Sequence, residues 1–262
     1  MNNRQSYRTL SRFSSSLLLF SLSLMTLLIG LQAGSAVAKP LTALTWTLQW
    51  SDEFNAAANS KLNSSDWIYD IGTSYPGGPA NWGTGEVESN TNSIANVYQN
   101  GTGSLVIKAI HTGRIPGTGW TSGRVETVRS DFQPAAGKAM AVEARIQLPN
   151  VTGTQAQGYW PAFWMLGAPF RGNYWNWPGI GEFDILENIN GQNTWYGTLH
   201  CGVNPGGPCK ETNGIGANAS GFSPSLQTAY HVYRFEFDKS VSPQQLRWYV
   251  DGVQRHKVNA SQ

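Results

Sequence analysis

Gly181-Glu182-Phe183-Asp184-Ile185-Leu186-Glu187-Asn188 places three carboxylates within six residues and separates them with apolar side chains. An ionised carboxylate buried without partners costs several kcal/mol, so three acids in an apolar segment indicate the wall of a cleft. Successive side chains of a β-strand point to opposite faces, and Glu182 and Asp184 therefore share a face. Glu187 would fall on the other face unless one extra residue, a β-bulge near Ile185-Leu186, restores the parity. The stretch predicts a bulged strand that presents three acids to a groove.

The segments on either side of this stretch predict β-structure and no helix of convincing length. Alternation of apolar and polar residues, or a short apolar run between turn residues, marks each candidate strand. We expect strands at the following segments: Trp67–Ile71, Ser104–Ile110, Thr121–Arg129, Ala139–Leu148, Gly158–Leu166, Thr194–His200, Tyr230–Asp238 and Leu246–Val250. The polar segment 202–225, rich in glycine and proline, is expected to form a long loop. Many short strands between turns predict a sandwich of two sheets.

The first 38 residues predict a secretory signal peptide. Three arginines precede an apolar run from Leu17 to Leu31, and Ala36-Val37-Ala38 supplies the small residues typical of a cleavage site. The alternative is an uncleaved anchor helix, but the run is short for a membrane span. We therefore expect cleavage after Ala38, a domain at residues 39–262, and a mature protein that is extracellular or periplasmic.

The charge and composition of the remaining 224 residues narrow the classes of partner. Without the three N-terminal arginines the chain has 15 basic and 16 acidic residues, a net charge of −1. The sequence contains neither a basic patch of the kind that binds nucleic acid nor a charge run of the kind that binds a membrane surface. The length fits one large all-β domain, which we expect to be a monomer. Eleven tryptophans in a weakly charged chain favour stacking surfaces for sugar rings, although any single tryptophan can equally belong to the core.

Cys201 and Cys209, the two cysteines, flank a short segment rich in glycine and proline. In an oxidising compartment a disulfide between them would stiffen this loop and stabilise the fold by about 2–3 kcal/mol. Two thiols without a neighbouring pair of histidines are too few ligands for a metal.

Two carboxylates that face one cleft are what the hydrolysis of a glycosidic bond requires. One attacks or activates water, and the other protonates the leaving oxygen. Carboxyl groups about 5–5.5 Å apart indicate retention of the anomeric configuration, and a separation of about 6.5–9.5 Å indicates inversion. Asp184, between Glu182 and Glu187, would hold their pKa values apart. The alternative is a calcium site, but the Asp, Asn and Gly loop pattern of such sites is missing.

The segment Glu182-Phe-Asp-Ile-Leu-Glu187 resembles the E-x-D-x-x-E signature of glycoside hydrolase family 16 in its bulged, laminarinase-like form. Tyr159-Trp-Pro-Ala-Phe-Trp-Met-Leu166 is similar to the companion strand of that family. Four shorter segments also resemble it: Trp50–Phe54, Asn81–Glu86, Thr121–Thr127 and Glu143–Ile146. The resemblance runs from Trp50 to the end of the chain. It implies a concanavalin A-like β-jelly-roll sandwich of two antiparallel sheets, whose concave sheet forms a sugar groove.

The resemblance also implies a reaction: retaining, endo-acting hydrolysis of β-1,3-glucan, with mixed-linkage β-1,3-1,4-glucan as a further substrate. Glu182 would be the nucleophile, Glu187 the general acid and then base, and Asp184 the residue that tunes both. This chemistry requires no cofactor. Candidate sugar contacts are three tryptophans and three polar residues: Trp160, Trp164, Trp177, Asn81, Arg124 and His200.

Two departures from the family pattern stand out. Thr84 and Gly85 occupy positions where the family often has two asparagines, which weakens the expected sugar contacts there. The chain stops at Gln262, where the family has further strands, so the sequence predicts a domain truncated at its C terminus with an exposed sheet edge. Many members bind a structural calcium through residues near both ends of the domain, a site that this sequence does not assign.

Two other functions remain open at this point. One is a non-catalytic glucan-binding sandwich, although such relatives typically lack the acids that are present here. The other is a family sibling that acts on a different polysaccharide, such as a galactan or a mixed-linkage glucan.

Overall fold

This computed structural model describes residues 45–115 and 117–261, which contain fifteen β-strands and three short 3-10 helices. The strands are β1 (Trp67–Asp70), β2 (Ser89–Asn90), β3 (Val97–Gln99), β4 (Leu105–Ile107), β5 (Ile110–His111), β6 (Trp120–Ser122), β7 (Arg124–Thr127), β8 (Ala139–Ile146), β9 (Ala162–Leu166), β10 (Glu182–Glu187), β11 (Thr194–His200), β12 (Ile215–Ser220), β13 (His231–Asp238), β14 (Gln245–Val250) and β15 (Val253–Asn259). The 3-10 helices are Ala80–Gly83, Gly153–Ala156 and Ala168–Phe170. The predicted signal peptide, residues 1–38, lies outside the described residues. None of the helices in the two described ranges has the length and hydropathy that a membrane span requires.

Two four-stranded antiparallel sheets form the body of the structure. The acid sheet, which contains the predicted acid strand β10, has the order β12-β11-β10-β9, and the opposite sheet has the order β15-β14-β13-β8. Three smaller sheets accompany them: β1-β7, β3-β4 and β2-β6-β5. Among the described strand pairs only β2-β6 is parallel. The predicted all-β architecture of antiparallel sheets is confirmed.

The core lies between the acid sheet and the opposite sheet. Four aromatic side chains in it have no solvent exposure: Trp195, Tyr233, Phe235 and Trp248. Phe183 of β10 stacks on Phe235 of β13 with ring centroids 4.7 Å apart. Full burial of one large apolar side chain contributes about 1.5–3 kcal/mol, so this aromatic core holds β10 firmly against the opposite sheet.

The predicted bulge lies in β10, between Asp184 and Leu186. Asp184 pairs with Trp164 of β9, and Leu186 pairs with Phe163, the immediate neighbour of Trp164, so Ile185 is the extra residue. Both apolar residues of the bulge are buried in the core. The prediction of a bulge at Ile185-Leu186 is confirmed, and the acidic side chains are left on the opposite face.

Two buried indole groups satisfy the backbone of the bulge. Trp248 Nε1 donates to the Asp184 carbonyl at 2.9 Å, and Trp195 Nε1 donates to the Ile185 carbonyl at 2.8 Å. A buried carbonyl without a donor costs about 1–3 kcal/mol. Because Trp248 belongs to the opposite sheet and Trp195 to β11, the bulge is held from two directions.

The prediction of one long loop at residues 202–225 is wrong, because the segment contains β12. This strand pairs with β11 along its whole length, from Thr194↔Ser220 to Leu199↔Ile215. Its sequence, Ile-Gly-Ala-Asn-Ala-Ser, consists mostly of small residues that carry little hydrophobic signal, so the neighbouring strand decides its conformation. The predicted disulfide in the same segment is confirmed, with Cys201 and Cys209 Cα atoms 5.3 Å apart.

The single strand expected at Ser104–Ile110 is also wrong, because this segment contains β4 and the start of β5, which belong to different sheets. The same is true of Thr121–Arg129, which contains parts of β6 and β7 in different sheets. The break lies at Gly123. A Cβ atom at this position would lie 2.0 Å from Val97 Cγ2, so only a glycine permits the close approach of the two chain segments.

Candidate active site

The three acids of β10 lie together on the face of the acid sheet that points away from the core. Asp184 is buried, with 6% of its surface exposed, and Glu182 and Glu187 are partly buried on either side of it. Carboxylate oxygens of Glu182 and Asp184 lie within 4.8 Å of each other. Burial raises the pKa of Glu182, and the charges of Asp184 and Glu187 add to that effect. The bulge therefore achieves what the sequence predicts: Glu182, Asp184 and Glu187 share one face.

His200, at the end of β11, is the cation among these acids. Its Nε2 lies 3.3 Å from Asp184 Oδ2, and its Nδ1 lies 2.8 Å from Glu211 Oε2. Carboxylate oxygens accept hydrogen bonds, so a carboxylate at each ring nitrogen favours the imidazolium, in which both nitrogens donate. Burial opposes this charge, but the hydrogen bonds to Asp184 and Glu211 outweigh it and raise the pKa of His200 to about 9. Glu182, Asp184, Glu187 and His200 are called the charged cluster below.

Burial raises the pKa values of all three acids in this cluster. It raises the pKa of Glu182 to about 8, with the charge of Asp184 adding to the effect, and the pKa of Glu187 to about 7. The pKa of Asp184 is raised for the same reason, but the hydrogen bond from His200 opposes the rise. Near neutral pH the cluster therefore holds fewer than three negative charges, which is the condition for one carboxyl group to act as an acid beside another that acts as a base.

The predicted tryptophans surround the cluster at different depths. Trp160 is 48% exposed, and its Nε1 donates to Glu187 Oε1 at 2.6 Å. The Trp177 ring lies 5.5 Å from the His200 ring, and a polar contact from Trp177 opposes the rise in the Glu182 pKa. Trp160 therefore has an exposed ring that suits stacking on a sugar, and Trp177 supports the side chains beneath.

Arg124 occupies a different setting, in a wall of aromatic rings beside the acid sheet. Its guanidinium carbon lies 4.7 Å from the centre of the Trp82 ring and 4.9 Å from that of Trp164. Its nitrogens lie 3.6 Å from Asp70 and 3.5 Å from Glu86. The guanidinium therefore lies against two indole rings and between two carboxylates, although its buried Nε has no hydrogen-bond partner, and these contacts tie Arg124 to both tryptophans.

Asn81 lies on the same wall. It is exposed, adopts a positive φ of 51° in the 3-10 helix Ala80–Gly83, and precedes the buried Trp82 that stacks on Arg124. Its backbone carbonyl accepts the N–H groups of Thr84 and Gly85. The structure thus places Asn81 and Arg124 together in one wall and the other four predicted contact residues on or beside the acid sheet.

Glu211 is the residue of this site that the sequence did not single out. Its side chain is fully buried, and it accepts hydrogen bonds from His200 Nδ1 and from the Cys201 backbone N–H at 2.9 Å. It follows Cys209 by two residues, inside the segment expected to be a loop. One signal in the sequence could have identified it. Cys201 directly follows the candidate site residue His200, so a disulfide from Cys201 to Cys209 brings Glu211 close to that histidine.

The charged cluster also includes the only group of three His, Cys, Asp or Glu side chains within residues 45–115 and 117–261 whose ligand atoms could share a metal. These atoms, from Glu182, Asp184 and His200, lie within 4.8 Å of one another. A metal ligand needs a free lone pair, whereas both nitrogens of His200 donate to carboxylates. Calcium prefers six to eight oxygen ligands, which this group does not supply. The arrangement fits proton transfer better than metal binding.

Comparison with known proteins places this site in a family. A family model described as "XgeA-like, catalytic GH16 domain" matches residues 147–227, which include the acid strand, its partner β11 and the disulfide. The solved structure of an endo-1,3-β-glucanase from Streptomyces sioyaensis is 53% identical, covers 86% of this chain and 80% of its own, and superposes with a TM-score of 0.79. The chain belongs to glycoside hydrolase family 16. The resemblance predicted from the acid motif is confirmed, and with it the assignment of an enzyme.

Two curated relatives extend this family 16 assignment. A β-glucanase from Rhodothermus marinus is 32% identical over 212 residues, which cover 79% of this chain and 63% of that protein. Glucan endo-1,3-β-glucosidase A1 from Niallia circulans is 32% identical over 225 residues, which cover 82% of this chain and 30% of that protein. The chain thus spans less than two thirds of the length of either relative.

Proposed function

We propose that this family 16 enzyme is a secreted, monomeric endo-β-1,3-glucanase that retains the anomeric configuration of its substrate and also accepts mixed-linkage β-1,3-1,4-glucan. The observation that carries the proposal is the bulged strand β10, which turns Glu182 and Glu187 to one face beside the His200 cation. The names of the Streptomyces and Niallia relatives, both β-1,3-glucan hydrolases, support the choice of substrate.

In the first half of the reaction, a carboxylate oxygen of Glu182 attacks the anomeric carbon and forms an ester bond as the glycosidic bond breaks. Glu187 gives its proton to the leaving oxygen. In the second half, the Glu187 carboxylate takes a proton from water, and the water oxygen attacks the same carbon and releases Glu182. Every step uses side chains of this chain, without a cofactor.

These roles require the proton to be on Glu187, whereas in the empty cleft the higher pKa is that of Glu182. Two effects of substrate reverse this order. The transition state brings positive charge to the anomeric carbon beside Glu182, which favours its anion. The sugar also removes water from Glu187 and offers it an oxygen to which an O–H can donate, which favours its acid form. Asp184, held by His200, lies between the two glutamates, and its negative charge adds to burial in raising the pKa of each.

Trp160 supports binding of a sugar next to Glu187. Its half-exposed ring is flat and its N–H is engaged by the carboxyl group, so a pyranose stacked on the ring would be oriented over the proton donor. Secretion is supported by the N-terminal pattern of residues 1–38 and by the Cys201–Cys209 disulfide, which persists in oxidising compartments.

The deciding experiment measures release of reducing sugar from laminarin by the wild type, Glu182→Gln and Glu187→Gln. General acid catalysis contributes on the order of 10²–10⁴-fold, so we expect Glu187→Gln to lower kcat by that factor and Glu182→Gln to abolish turnover. Glu236→Gln is the matched control, because Glu236 is buried in the opposite sheet beside Arg234 and Arg247. Full activity of the Glu182 variant would contradict the proposal.

Three further measurements test its finer parts. NMR of the first product from a β-glucan should show the β-anomer, and initial release of the α-anomer would exclude retention. Product profiles on laminarin, lichenan and agarose should show cleavage of the first two and not of the third. N-terminal sequencing of exported protein should begin at Lys39.

A further inference from the structure

Glu211 lies two residues after the loop closed by the Cys201–Cys209 disulfide, and its side chain is fully buried against His200 of the charged cluster. Two backbone hydrogen bonds join Glu211 to Gly206, inside the loop, at 2.6 and 2.7 Å. Its carboxylate accepts the backbone N–H of Cys201 through Oε1 and faces His200 Nδ1 with Oε2. Main chain and side chain of Glu211 are therefore both fixed by the disulfide loop.

The His200 ring is enclosed by groups that permit one orientation. Glu211 faces Nδ1, Asp184 faces Nε2, and the Trp177 ring lies 5.5 Å away. The chain after Glu211 also packs closely, since a Cβ atom at Gly214 would lie 2.9 Å from His200 Cε1. A rotated imidazole would lose a carboxylate partner at each nitrogen.

The charges that act on this ring come from few elements. β10 contributes Glu182, Asp184 and Glu187, and the segment just after the disulfide loop contributes Glu211. The neighbouring strand β12 has no titratable side chain. Of these acids, Glu211 is the one with a side chain that is fully buried and outside the cleft wall, so it can hold the ring without contacting a sugar.

We propose that Glu211 is a positioning residue that fixes His200 as an oriented imidazolium, which in turn holds Asp184 as an anion between the two catalytic glutamates. The disulfide is the device that holds Glu211 in place. The pKa of His200, raised to about 9 against the effect of burial, agrees with this arrangement. The consequence for catalysis rests on the proposed function, whereas the orientation and charge of His200 do not.

The test follows the four histidines of the protein by imidazole ¹⁵N NMR across pH 5–10, with the His200 signal assigned from His200→Gln. We expect wild-type His200 to stay protonated beyond pH 8. Glu211→Gln keeps the shape of the side chain but removes its charge, and should lower the pKa of His200 by at least about one unit, a tenfold loss of proton affinity. The matched control Glu236→Gln should leave the His200 titration unchanged.

Kinetics on laminarin separate positioning from a merely structural role. Misplacement by about 1 Å costs on the order of 10²-fold, so kcat of Glu211→Gln should fall by up to that factor, with KM within about twofold of wild type. The loss should be smallest near pH 5, where His200 is charged in both proteins, and should grow towards pH 8. A loss that is equal at every pH would contradict the proposal.

Reduction of the disulfide provides a second, independent arm. Dithiothreitol-treated enzyme should show a lowered His200 pKa and a partial loss of kcat in the same direction as Glu211→Gln. If Glu211→Gln and the reduced enzyme both fail to fold, the titration of the wild type is the test, because a neutral His200 at pH 7 would overturn the inference. If the enzyme hydrolyses laminarin but Glu211→Gln does not change the pKa of His200, this inference is wrong and the proposed function is retained. If the pKa of His200 depends on Glu211 but the wild type does not hydrolyse laminarin, the proposed function is wrong and the positioning role is retained.

Discussion

Replacing Trp195 by phenylalanine tests whether the buried indole groups maintain the bulge that brings the acids together. The substitution removes the hydrogen bond from Nε1 to the Ile185 carbonyl and leaves that carbonyl buried, at a cost of about 1–3 kcal/mol. It also removes two buried carbons that lie over Gly197, at about 0.8 kcal/mol each. We therefore expect the free energy of unfolding to fall by about 3–5 kcal/mol, a large share of the 5–15 kcal/mol typical of a domain.

The matched control is Trp175→Phe. Trp175 also donates its indole N–H to a carbonyl at 2.8 Å, that of Gly77, but its side chain is 69% exposed and water can replace the bond. Its loss should cost less than about 1 kcal/mol. Urea denaturation of both variants, together with laminarin turnover per folded molecule, measures the difference. Equal destabilisation of the two variants would refute the idea that the bulge depends on Trp195.

Three further predictions concern charge and stacking. Trp160→Phe removes a donor that favours the ionised form of Glu187, so the pKa of Glu187 should rise above about 7. The alkaline limb of the kcat/KM profile should then move to higher pH, and an unchanged limb would show that Glu187 is not the group that titrates there. Glu182→Gln should stabilise the protein at pH 8, by on the order of 2–4 kcal/mol, and have little effect at pH 4. The sign follows because the pKa of Glu182 is raised by folding to about 8, so wild-type stability is complete below about pH 4.5 and falls as pH rises towards 8; thermal melts at both pH values measure it. Arg124→Lys should lower the free energy of unfolding by about 1–2 kcal/mol in urea titrations, since an ammonium cannot stack between Trp82 and Trp164, and an unchanged midpoint would argue against that stacking.

The acid strand and its bulge were predictable because parity along a strand is a local property. Glu182 and Glu187 are five residues apart, and only one inserted residue can place both in a groove. The disulfide was predictable for a related reason, since the two cysteines lie close in sequence in a chain with an export signal pattern. Short-range geometry was sufficient in both cases.

The features that were missed depend on contacts between distant segments. β12 is a strand because its backbone pairs with β11 along its whole length. Its small side chains do not predict this pairing. The break between β6 and β7 depends on Val97, 26 residues before Gly123 in the chain. Glu211 gains its position from Cys201 and His200, and its own neighbours in sequence are polar and unremarkable. β12 and Glu211 carry no periodic pattern of their own, and the alternation of Thr121–Arg129 gives no sign of the break at Gly123.

The hydrogen bond from Trp248 to the Asp184 carbonyl has a consequence for how this enzyme can diversify. It crosses the sandwich, so the backbone of the acid strand is secured by a fully buried residue of the opposite sheet. Substitutions in the loops around the groove can then accumulate and change which polysaccharide is bound while the spacing of the two glutamates stays constant. We therefore expect the loops and the core to tolerate change to different degrees, with the core the more constrained of the two.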